Sequence, residues 1–200
     1  VVVNPNNPDG RVVPREKLLD LAAGLHAKGG LLVVDEAFMD VGPREASLAG
    51  DAGRDGLVVL RSFGKFFGLA GVRLGFALAG TGIVERLEAQ FGPWAVSGPA
   101  LEYGIRALSD MRWQDAMRAR LAADASRLDA LLGRYGIPVM GGTSLFRYME
   151  LPGAPDLFRA LGEQGILLRH FADRPHVLRA GLPGMEEEWR RLEDALASAA

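Results

Sequence analysis

Lys65 lies in a glycine-broken stretch, Ser62-Phe63-Gly64-Lys65-Phe66-Phe67-Gly68, eight residues ahead of Arg73 in Leu69-Ala70-Gly71-Val72-Arg73-Leu74-Gly75. Small neighbours let such a lysine approach a flat ligand, and a desolvated ε-amine loses its proton readily enough to condense with a carbonyl. That chemistry points to pyridoxal phosphate. Two more polar positions follow apolar runs: Asn7 in Asn4-Pro5-Asn6-Asn7-Pro8-Asp9-Gly10 comes after Val1–Val3, and Asp35 in Asp35-Glu36-Ala37-Phe38 comes after Leu31–Val34. An asparagine turn, a strand-end aspartate and a loop lysine, each at the C-terminal end of a buried strand, converge on the edge of an open α/β sheet where ligands bind.

In order and spacing these motifs closely resemble the fold-type I pyridoxal-phosphate enzymes, the class I/II aminotransferase superfamily, over essentially the whole chain. The resemblance implies that Lys65 is the Schiff-base lysine and later transfers a proton at the substrate α-carbon. Asp35 would bond the protonated pyridine nitrogen, Asn7 would donate to the phenolic O3′ oxygen, and Ser62 and Arg73 would bind the cofactor phosphate. Arg179, in Val177-Leu178-Arg179-Ala180-Gly181, matches the arginine that grips the substrate α-carboxylate. Arg169, in Leu167-Leu168-Arg169-His170-Phe171, matches a residue used for a substrate phosphate. Phe38 departs from the pattern, since many aminotransferases of the superfamily have a tyrosine there that shares the O3′ contact; losing that donor is expected to raise the pKa of the Schiff base. Each residue also has an ordinary structural reading: a solvated lysine, a strand-end turn for Asp35, an Asn-Pro turn for Asn7, rim ion pairs for the arginines.

Within the superfamily, Asp35-Glu36-Ala37-Phe38-Met39-Asp40, Phe63–Gly71 and Gly92–Ala100 look most like the threonine-phosphate decarboxylases of cobalamin biosynthesis. Those enzymes turn L-threonine O-3-phosphate into (R)-1-amino-2-propanol O-2-phosphate and carbon dioxide. A histidinol-phosphate-type aminotransferase and a non-catalytic fragment are the alternatives, because the residue types are the same for decarboxylation and transamination. The resemblance also implies a small phosphorylated amino-acid substrate and a homodimer. It implies, too, a segment upstream of Val1 carrying a substrate-gripping arm, early strands, a glycine-containing phosphate loop and a residue that stacks on the cofactor. The chain is therefore expected to be a truncated form with a sheet edge open to pairing.

The elements that must position these residues read as strand-then-helix units, with apolar strands at 1–3, 31–34, 57–60 and 72–79 buried on both faces of a parallel sheet. Pro14 suits the first turn of a helix lined by Leu18, Leu21, Ala22 and Leu25, which Gly29-Gly30 ends. A helix follows over 82–90, and a long helical stretch over 99–135 is interrupted near Asp110-Met111-Arg112. Strands at 137–140, 144–150, 166–169 and 176–180, with helices near 155–163 and 186–199, suggest a two-layer α+β lobe. The expected fold is α/β: a partial, mostly parallel large-domain sheet over 1–98, connecting helices over 99–135 and a small C-terminal α+β domain over 136–200. Trp94 and Ser97 lie where the superfamily places a substrate-facing and dimer-facing turn, although a buried interdomain Trp94 is an equal expectation.

Composition fits an ordinary globular chain: 200 residues, 48% hydrophobic and 24% charged. A formal net charge of −2 with no Lys/Arg cluster gives no footprint for nucleic acid. No apolar stretch of about 18 residues suggests a membrane span, and no export signal is visible, so the cytoplasm is the expected location. There is no cysteine, and His26, His170 and His176 are too scattered for a zinc cluster. A satisfied polar role is expected for His170 and His176.

Overall fold

The computed structural model describes residues Val1–Ala199. The chain divides into two compact units, the first formed by Val1–Asn7 and Arg11–Asp115, the second by Pro8–Gly10 and the chain from Ala116.

In the first unit, β1 (Val2–Val3), β2 (Leu32–Asp35), β3 (Leu57–Ser62) and β4 (Gly75–Ala79) form one sheet in that order. Strands β1, β2 and β3 are parallel, and helix α1 (Arg15–His26) makes the crossover from β1 to β2. Leu32, Val34, Leu57 and Val59 turn to one face, where they pack with Leu18 and Ala22 of α1 and with Leu48 and Ala52. Each such fully buried aliphatic side chain contributes about 1.5–3 kcal/mol. The α1 first turn is tied down by Asp51, whose buried carboxylate accepts Nε and Nη2 of Arg15 at 2.8 and 2.7 Å and Nε of Arg54 at 3.0 Å.

Three expectations are corrected here. Strand β4 runs antiparallel to β3, because the short connection from Phe63 to Leu74 contains no helix that could carry the chain back for a parallel pairing. The second sheet face is only partly covered: Val58 is buried there, but Val33 is half-buried and Ala77 exposed, so burial on both sides holds for the start of β3 and not for β2 or β4. Leu21 is 44% exposed; Leu18, Ala22 and Leu25, at i, i+4 and i+7, make the inner stripe, and position i+3 falls outside it.

Helices α2 (Thr81–Phe91), α3 (Gly98–Ser109) and α4 (Met111–Arg134) follow. The long helical stretch breaks at Asp110, whose Oδ1 accepts the Trp113 N–H at 2.9 Å and starts α4. Helix α3 is capped by Ser97, whose Oγ accepts the Ala100 N–H at 3.3 Å, with Pro99 in its first turn. Trp94 is 90% exposed, which overturns its reading as a buried residue.

In the second unit, β5 (Val139–Thr143), β6 (Phe146–Glu150), β7 (Arg169–Phe171) and β8 (Arg174–Gly181) form an antiparallel sheet in the order β5-β6-β8-β7. One face is covered by α4, α5 (Ala154–Glu163) and α6 (Glu186–Ala199), with Leu128, Leu132, Met149, Leu161, Leu178 and Leu196 among the core residues. The result is the two-layer α+β arrangement. Gly10, at φ +73°, and Gly142 meet so closely that a Cβ on Gly10 would stand 2.0 Å from the Gly142 carbonyl oxygen, which only glycine tolerates.

Candidate active site

Register aligns the strand ends. Val3 pairs with Asp35, and Asp35 with Leu60. The Asn4 N–H donates to the Asp35 carbonyl at 2.8 Å and the Glu36 N–H to the Leu60 carbonyl at 2.9 Å, so three chains leave the sheet at one edge. Side-chain alternation turns Asp35 and Ser62 to the face opposite the α1 core. The Asp35 carboxylate is half-buried and its Oδ1 accepts the Ala37 N–H at 2.9 Å, which fixes its direction. The turn carrying Asn7 is closed by an Asn6 N–H to Arg11 carbonyl bond of 2.8 Å, and Asn7 is exposed.

The lysine loop is built on aromatic rings. Phe63, Phe66 and Phe67 are all buried, while Lys65 between them is exposed. Phe63 stacks on Phe67 with centroids 4.3 Å apart, and Phe66 and Phe67 contact Trp113 at 5.5 and 6.0 Å. Backbone bonds from Gly68 N–H to the Lys65 carbonyl and from Leu69 N–H to the Phe63 carbonyl, both 3.0 Å, close the turn, with Gly68 at φ +68°. The Lys65 amine stands 5.6 Å from the centroid of the Phe38 ring, within cation–π range. Ser62 Oγ accepts the Gly64 N–H at 3.1 Å and keeps its own hydroxyl hydrogen to donate.

Arg73 sits at the end of the short turn Ala70–Val72 rather than inside a strand, because β4 begins only at Gly75. Its backbone is left-handed, φ +57°, and its Nη1 donates to the Ala70 carbonyl at 3.0 Å. The second unit pairs Arg169 with Arg179 across β7 and β8. The Arg179 guanidinium lies 5.0 Å from the Phe146 ring centroid, and its pKa is pushed down by burial and then by the charge of Arg169. Two arginines facing each other in this way favour an anion between or beside them. His170 stacks on Phe158 with centroids 4.7 Å apart.

The first unit thus carries Asn7, Asp35, Ser62, Lys65 and Arg73, and the second carries Arg169 and Arg179. The first set combines a primary amine, a carboxylate of fixed direction, a hydroxyl donor and a guanidinium. These are the groups that would serve the carbonyl, ring nitrogen and phosphate of pyridoxal phosphate, and the residues fit it. Sequence reasoning missed Trp113, which supports the loop, and Asn4, fully buried, whose Oδ1 accepts the Val13 N–H at 2.8 Å. An asparagine directly after an apolar strand was the available signal for Asn4; Trp113 gave none, because its partners lie about fifty residues away in sequence.

The family model described as aminotransferase class I and II matches residues 1–196. The chain belongs to that family. Among curated relatives, this aminotransferase-family chain is 50% identical over 196 residues to a threonine-phosphate decarboxylase of Pseudomonas aeruginosa and 47% identical over 201 residues to one of a Sinorhizobium species. Each comparison covers 98% of the chain and 59% of the relative, so the chain spans a little under three fifths of their length. The fold is that of a histidinol-phosphate aminotransferase of Sinorhizobium meliloti solved in complex with pyridoxal-5′-phosphate, with a TM-score of 0.86 and 23% identity. That match covers 99% of this chain and 57% of the other. Among the described residues no helix is long and apolar enough to cross a membrane, and no group of three or more His, Cys, Asp or Glu could hold a metal ion.

Proposed function

We propose that this chain carries the lysine-bearing machinery of a pyridoxal-phosphate enzyme that decarboxylates L-threonine O-3-phosphate to (R)-1-amino-2-propanol O-2-phosphate. The observation that carries this reading is the common sheet edge at which Asp35 and Ser62 end adjacent strands, with Lys65 three residues on. Identity of 50% and 47% to threonine-phosphate decarboxylases favours carbon dioxide loss over amino transfer.

When bound, the cofactor supplies a carbonyl for the substrate amine and a ring that accepts the electron pair left when the Cα–carboxylate bond breaks. Asp35 holds a proton on the ring nitrogen, and the Ala37 N–H keeps its carboxylate aimed. Ser62 and Arg73 grip the cofactor phosphate, and Asn7 donates to the phenolic oxygen. Phe38 forms an apolar wall beside the Lys65 amine. Lys65 delivers a proton to the α-carbon after carbon dioxide leaves. Arg179 would take the substrate carboxylate and Arg169 its phosphate.

The test is borohydride reduction of the purified chain with pyridoxal phosphate, followed by mass spectrometry of the adduct and an assay of carbon dioxide release from threonine phosphate. A reduced adduct on Lys65 that Lys65→Ala abolishes, together with carbon dioxide release, supports the reading. Adduct formation with amino transfer to a 2-oxo acid and no carbon dioxide would replace it with the aminotransferase reading. No adduct at all would favour a non-catalytic fragment.

A further inference from the structure

Glu36 is fully buried and serves none of the roles above. It follows Asp35 directly, so its side chain turns to the opposite face of the sheet, where the α1 core lies. There Oε2 accepts the Ser47 hydroxyl at 2.6 Å and Nη1 of Arg61 at 3.3 Å, and Oε1 accepts the Leu48 N–H at 2.6 Å. The other terminal nitrogen of Arg61 donates to Asp40. Three members of this network lie close to site residues in the chain: Glu36 is next to Asp35, Arg61 next to Ser62, and Asp40 two residues past Phe38.

We propose that Glu36, Arg61 and Asp40 are positioning residues that lock the ends of β2 and β3 in the one register that presents Asp35 and Ser62 together. The inference rests on the functional reading of those two residues. Packing alone does not require this network, since apolar residues of similar volume commonly serve a buried position as well as an ion pair does. What charged, directional bonds add is uniqueness. A one-residue slip of β2 would send Asp35 to the core face and Glu36 to the site face. Arg61, Ser47 and the Leu48 N–H would then lose their acceptor, and a buried carboxylate would lose its partners.

The test has two arms. Hydrogen–deuterium exchange on the chain without cofactor compares the parent with Glu36→Gln, Arg61→Met and the milder Asp40→Asn. The expected result is faster exchange confined to residues 36–48 and 61–75, graded in that order of severity, with residues 116–199 unchanged. Parent-like exchange, or a uniform rise along the whole chain, would overturn the proposal. Absorbance titration with pyridoxal phosphate then reads its Kd, which is expected to weaken about tenfold in Glu36→Gln, with Arg61→Lys retaining more affinity than Arg61→Met. Parent-like affinity in Glu36→Gln, or equal loss in both Arg61 variants, would also overturn it. A parent chain that takes up no pyridoxal phosphate would sink the functional reading and leave the exchange arm to decide this one.

Discussion

Phe63 offers the sharpest test of how the lysine loop is held. Its side chain is 2% exposed, stacks on Phe67 at 4.3 Å with 12° between the ring planes, and meets Phe76 at 5.6 Å. Truncating a buried phenylalanine to alanine costs about 3–5 kcal/mol through lost transfer energy and the cavity left behind. The two ring pairs account for about 0.5–1.5 kcal/mol each beyond burial. Phe63→Leu refills most of the volume and loses mainly the ring pairs, so its expected cost is about 1–3 kcal/mol. Urea unfolding in a Trp94→Phe, Trp189→Phe background, followed by selective tryptophan excitation, leaves Trp113 as the only tryptophan, and Trp113 contacts the same aromatic cluster. The two Phe63 variants compared in this background isolate the cluster from the second unit. A Phe63→Ala loss below about 1 kcal/mol, or equal losses in the two variants, would refute the claim that the rings anchor the loop.

Three further outcomes are expected. Phe38→Tyr restores a donor beside the Lys65 amine, so the pH at which the bound cofactor's absorbance changes should fall; an unchanged titration would remove Phe38 from the site. Glu186 and Glu188 both have pKa values pushed down, Glu186 mainly by its hydrogen bond with Arg127 and Glu188 by the Gly184 and Met185 N–H groups. A depressed carboxyl adds stability above its unfolded pKa of about 4.3, and that stability is lost as pH falls through the folded value. The second unit, read by Trp189 emission after Trp94→Phe and Trp113→Phe, should therefore weaken below about pH 4, less steeply in Glu188→Gln; identical slopes would count against this assignment. Inorganic phosphate should stabilise the same unit through Arg169 and Arg179, and the Arg169→Gln, Arg179→Gln double variant should lose that protection.

Much of the candidate site was legible because apolar runs announce buried strands and the first polar residue after each marks its end. Asp35 was found in this way, whereas Ser62 was assigned through the resemblance, Arg61 being the first polar residue after Leu57–Leu60; the structure puts both Asp35 and Ser62 at strand ends. Direction was less legible. An apolar run reads the same forwards and backwards, so β4 passed for a parallel strand until the lack of an α-helix between Phe63 and Leu74 decided the matter. Leu21 misled because a leucine at i+3 from Leu18 satisfies a loose helical pattern, whereas the stripe closed on i+4 and i+7. The Glu36–Arg61 pair depends on which residue of β2 faces which of β3, and register between strands about twenty-five residues apart is not written in local composition. Trp94 was ambiguous for another reason: large aromatic rings are usually covered, and sequence does not say by what.

The left-handed backbone at Arg73 has an evolutionary consequence. A residue with a side chain in that conformation costs about 1 kcal/mol, which glycine would relieve, while glycine's freedom in the unfolded chain takes back about 0.5–1 kcal/mol. Replacing the arginine by glycine would therefore be close to invisible to any selection on folding alone. A chain that had drifted by Arg73→Gly would be made, fold and melt like its parent, having lost the guanidinium only. Persistence of the arginine across descendants would then be a record of use, written at a position where the fold itself exerts almost no vote.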